Sequence, residues 1–90
     1  MRLGLIAAMA LALAACGERE PHVYPQEAQT HFEQSCPPES AVCVCTWDEI
    51  TRAVPYEDYE AALTRFRETG LMDPRITRAR TKCIERNRED

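Results

Sequence analysis

The chain has 90 residues, 15 of them acidic and 11 basic, for a formal net charge of −4. That length holds one small domain, and an acidic balance argues against nucleic-acid binding, which needs clustered cations to neutralise phosphates. Five cysteines in so short a chain direct attention to cross-links.

The first element is an apolar run over residues 3–15, rich in Leu, Ile, Ala and Met and preceded by one cation, Arg2. A charged start, an apolar middle and small residues at the end are the order of an export signal. The run is too short to span a membrane, because crossing about 30 Å of hydrocarbon takes roughly 20 residues. It stops at Leu13, Ala14, Ala15 and Cys16, after which charge begins at once. These four residues resemble the lipobox of bacterial lipoproteins, a resemblance that covers the first sixteen residues. It implies cleavage of a signal peptide, residues 1–15, transfer of a diacylglycerol to the Cys16 sulfur, and acylation of the new amino terminus. Small side chains before the cut let the chain enter the peptidase extended, and the thiol supplies the nucleophile that takes the lipid. At about 0.8 kcal/mol per buried CH₂ one acyl chain anchors marginally, whereas two or three hold stably. Gly17 stands where an Asp retains some lipoproteins in the inner membrane, so the resemblance implies the outer membrane, facing the periplasm.

Residues 17–24, GEREPHVY, are charged and proline-punctuated with no apolar period. With Cys16 they read as a lipidated tether, 16–24, that reaches about 28 Å beyond the cysteine when extended. Loss of Arg2 with the signal makes the net charge −5, which disfavours adhesion to anionic lipid or nucleic acid.

Residues 25–90 read as a small helical domain. Pro25 suits a first helical turn, and QEAQTHFEQSC runs to Cys36 before Pro37 and Pro38 stop it. Ser40 can cap a second helix on which Cys43, Trp47, Ile50 and Val54 share one face. Pro55 closes that helix and opens a third, striped by Tyr56, Tyr59, Leu63 and Phe66, with Glu57, Asp58 and Glu60 early and Arg65 and Arg67 late, as the helix dipole favours. Gly70 suits a left-handed cap with Leu71 as its apolar partner. Asp73 and Pro74 form an N-cap and first turn, and the fourth helix carries Ile76, Ala79 and Cys83 on one side with Ile84 or Asn87. The expected fold is all-α: three to four short helices stapled by two disulfides, after a cleaved signal and a flexible tether.

Cys36, Cys43, Cys45 and Cys83 form an even set in an exported chain, which reads as a disulfide framework. Residues two apart on a helix point roughly 200° from one another, so Cys43 and Cys45 take different partners. The shared stripes favour Cys43 with Cys83 and Cys36 with Cys45; Cys36 with Cys43 and Cys45 with Cys83 stays open. In either form the bond to Cys83 closes the larger loop and stabilises more.

The C-terminal stretch, residues 74–90, carries Arg75, Arg78, Arg80, Lys82, Arg86 and Arg88 against three acids, while residues 17–73 are strongly acidic. This basic face either pairs with the acidic helices or receives a protein or an anionic envelope polymer. The body CVCTWDEITRAVPYEDYEAAL is similar to small cysteine-containing lipoproteins of bacteria, and that resemblance implies no activity. Residue chemistry points to no cofactor, metal or catalytic set: His22 and His31 lack a ligand interval with the cysteines, and the adjacent acids Asp48 and Glu49, or Glu57 and Asp58, point apart on a helix with no matched base. The expected function is a non-enzymatic, lipid-anchored envelope protein that binds or scaffolds a partner. The competing expectation is a thiol-redox or metal-handling protein using Cys43 and Cys45.

Overall fold

The computed structural model describes residues 19–88. Residues 1–15 and Cys16, read as signal and lipidation site, lie outside them. Four helices follow one another: α1 (Gln26–Ser35), α2 (Ala41–Ala53), α3 (Tyr56–Thr69) and α4 (Pro74–Arg88). The described residues contain no strand, and the domain is all-α with two disulfides. No helix among them is long and apolar enough to cross a membrane.

The helix ends follow from local chemistry. The Ser40 hydroxyl accepts the Cys43 N–H at 3.3 Å and starts α2. Val54, forced to extended geometry (φ −128°, ψ 121°) by the proline that follows, ends it. Pro25 and Pro55 sit one residue before α1 and α3, outside the first turn proper. Gly70 adopts φ +78°, and its N–H bonds to the Phe66 carbonyl at 2.8 Å, as a left-handed cap requires. Leu71 does not pack against that cap: it is 70 % exposed, its N–H held by the Thr69 hydroxyl, and Met72 turns into the core instead. Asp73 caps α4 by accepting the Arg75 N–H at 2.8 Å.

The core is built from Ile50, Val54, Tyr59, Ala62, Ile76 and Ala79, with Phe32, Trp47, Leu63 and Met72 packed around it. Helices α2 and α4 run antiparallel: Cys45, early in α2, meets Cys83, late in α4, whereas Ala53, at the end of α2, shares a hollow with Arg75, Arg78 and Ala79 near the start of α4. Two buried hydroxyls on α2 are satisfied within the helix, Thr46 donating to Val42 O and Thr51 to Asp48 O. On α3 the apolar stripe is cut short: Ala62 is buried, and Phe66 is 45 % exposed.

The favoured disulfide pairing is corrected. The bonds are Cys36–Cys43, with Cα atoms 5.3 Å apart, and Cys45–Cys83, at 5.7 Å. The reason is that α2 is central and has two working flanks. Cys43, at its first turn, faces the end of α1 just across the Pro37–Pro38 turn, while Cys45 and Glu49 face α4. Cys43 and Cys83 are both buried, yet on different sides of α2.

Residues 19–24, expected as a free tether, are docked on the bundle. The His22 N–H donates to Thr51 O at 2.8 Å, the Tyr24 hydroxyl donates to Val54 O at 2.7 Å, and Arg52 donates to Arg19 O at 2.6 Å. Thr51 O would normally accept the N–H four residues on, but that residue is Pro55, which has none. The strap therefore supplies donors that the end of α2 lacks.

Candidate functional site

Three features of the described residues could carry function: the cysteine pair on α2, an apolar groove, and the charged seam between α2 and α4.

The Cys43 and Cys45 sulfurs are drawn to different helices, Cys43 to α1 and Cys45 to α4. They do not form the two-sulfur unit that a thiol-exchange or chelating motif presents. Among the described residues no group of three or more His, Cys, Asp or Glu is placed to hold a metal ion. His22 and His31 are both exposed.

The groove has a volume of about 350 Å³ and opens among all four helices. Its apolar walls are Phe32, Ile50, Tyr59, Leu63, Phe66 and Met72, and His31, Thr77 and Arg80 stand at its edge. Periodicity gave Phe66 to the core; its place at this opening explains its exposure. The polar groups do not converge on one point inside the groove. The Thr46 hydroxyl is committed to its own helix, and Tyr59 is buried among rings, which raises its phenol above the ordinary value.

The seam is densely charged. Glu49 pairs with Lys82 at 3.2 Å and with Arg86 at 3.6 Å, and Asp48 with Arg52 at 3.1 Å. Arg75 bridges Asp58 on α3 (3.2 Å) and Asp73 (2.9 Å), and this guanidinium holds the Asp73 carboxyl below the usual carboxylate range. Half of the basic C-terminal stretch, Arg75, Lys82 and Arg86, thus pairs with acids of the domain. Arg78 and Arg80 have no carboxylate partner among the described residues.

Residue patterning missed the strap. Tyr24 stands between Trp47, Tyr56 and Tyr59, with ring centroids 5.3, 5.1 and 5.4 Å away, in edge-on or tilted arrangements. Burial and the neighbouring Tyr59 push its phenol well above the ordinary value. The signal available in the sequence was the residue type: a tyrosine closing a charged segment, next to a helix whose last carbonyls Pro55 leaves without donors.

No protein-family model, curated protein or solved structure matches the chain.

Proposed function

We propose that the chain is a bacterial lipoprotein of the outer membrane, anchored through Cys16 with its helical domain in the periplasm, and that it binds or scaffolds a partner without catalysing a reaction. The observation that carries this reading is the use of the cysteines. The four in the domain are consumed by two mutual disulfides, as suits an oxidising compartment, and Cys16 is left as the odd one, at the end of a lipobox. Gly17 supports the outer membrane over the inner. A binding role is supported by the open apolar groove and by Arg78 and Arg80, cations with no carboxylate partner among the described residues. The partner's chemistry on this reading is a protein or an anionic envelope polymer.

The test is the intact mass of protein extracted from membranes, which should lack residues 1–15 and carry acyl mass on Cys16. Cys16→Ser should accumulate as uncleaved precursor. A soluble protein with an unmodified Cys16 refutes the anchor. Crosslinking in intact cells then identifies the partner.

A further inference from the structure

We propose that the seam between α2 and α4 is the membrane-facing surface of the domain, seated on anionic phospholipid headgroups. This rests on acylation of Cys16 as proposed above.

Reach supplies the first argument. A free tether would let the domain tumble clear of the bilayer. The chain is instead fixed from Arg19 onward, by the Arg52 bond to Arg19 O, the His22 bond to Thr51 O and the wedged Tyr24. Only Gly17 and Glu18 separate Arg19 from Cys16, so three Cα steps, at most roughly 11 Å, connect the lipidated residue to the docked strap. The face beside Arg19 must therefore lie close to the headgroups.

That face is the seam. Arg19 lines the same hollow as Arg52, Ala53 and Lys82, and the adjoining hollow adds Arg75 and Arg78. Five basic side chains meet Asp48 and Glu49 there, and Asp58 and Asp73 pair with Arg75 at the edge, so Arg52, Lys82 and Arg75 are matched by acids while Arg19 and Arg78 make no ion pair among the described residues. The acids that make the whole chain negative lie mostly elsewhere; Glu27 and Glu60, for example, line a hollow between α1 and α3 that shares no residue with the seam. Net charge therefore misleads, because attraction to a surface acts over about one Debye length, roughly 8–10 Å, and is felt by the nearest charges.

Lys82 is the one lysine in the sequence and lies on the seam, whereas His31 lies on α1 beside the groove, so two reagents read different surfaces. The lipidated protein is reconstituted into vesicles of phosphatidylcholine with phosphatidylglycerol, or held in neutral detergent. It is then treated with an uncharged amine acylating reagent or with diethylpyrocarbonate and mapped by mass spectrometry. Lys82 should label roughly fivefold more slowly in the vesicles, the equivalent of about 1 kcal/mol for a cation at an anionic surface, with His31 unchanged. Equal Lys82 labelling in both media, or protection of His31 in its place, overturns the orientation while leaving the anchor intact. Absence of acyl mass on Cys16 in the same spectra overturns the anchor, and the orientation with it.

Discussion

Removing each disulfide in turn tests which of them holds the domain together. Cys45–Cys83 spans 38 residues and ties α2 to α4; Cys36–Cys43 spans 7 and closes little more than the Pro37–Pro38 turn. In the chain-entropy description the longer loop contributes about 3.9 kcal/mol and the shorter about 2.4, a difference of about 1.5. The clean comparison is C45A/C83A against C36A/C43A, since alanine leaves neither a stray thiol nor a buried hydroxyl. C36A/C43A removes two buried cysteines, at 6 % and 9 % exposure, and C45A/C83A one, Cys83 at 0 %, so packing loss does not by itself produce the expected order. Urea unfolding followed by circular dichroism should place the midpoint of the C45A/C83A variant about 1.5 M lower, taking a slope of about 1 kcal/mol/M for a domain of this size. A domain of this length has roughly 4–10 kcal/mol in total, so the variant lacking the longer bond should sit near the edge of folding. Equal midpoints, or the reverse order, would refute the assignment of Cys45–Cys83 as the main staple.

Two further outcomes follow from named contacts. Tyr24→Phe removes the only described donor to Val54 O and should cost about 1 kcal/mol, while Tyr24→Ala should cost about 3 or more and free the strap; amide exchange at His22 should then accelerate, and a His22 amide that already exchanges at the unprotected rate in the parent protein would contradict the docking. Asp73→Ala should cost about 1 kcal/mol at neutral pH through loss of the α4 cap. Because Arg75 lowers the Asp73 carboxyl in the fold, its contribution is complete above the unfolded value of about 4 and is lost as pH falls through the lower folded value. The gap between parent and variant in urea midpoint should therefore narrow as pH falls below about 4, and a pH-independent gap would point away from the carboxylate.

Legibility from sequence was uneven, for physical reasons. Punctuation was readable because it is local: Ser40, Pro55, Gly70 and the Asp73–Pro74 pair each act on the few backbone groups beside them, and each stands where a helix begins or ends. Buried faces were readable wherever one helix side meets one neighbour, as with Ile76, Ala79 and Cys83. The cysteine pairing was misjudged because a stripe shows that a residue is buried, and not which neighbour buries it. Helix α2 has neighbours on both flanks, so Cys43 and Cys45, two residues apart, serve different helices. The strap was misjudged for the related reason that composition describes a segment on its own. Residues 19–24 have no apolar period because only Tyr24 enters the core, and single anchors leave no periodic trace.

The strap also shows how one proline fixes where the N-terminal segment docks on the domain. With any other residue at 55, α2 could continue, and Thr51 O would find its donor inside the helix. Pro55 stops the helix, extends Val54 and leaves carbonyls open on the side where the chain returns from its N-terminus. His22 and Tyr24 are spaced to fill Thr51 O and Val54 O, and the Tyr24 ring then closes the gap among Trp47, Tyr56 and Tyr59. Buried carbonyls need partners whatever the protein does, so this docking is required by the fold before any function is considered. Its consequence for function is directional. A chain pinned at Arg19 enters the bundle beside Arg52 and Lys82, so on the proposed acylation of Cys16 the lipid would lie on that side.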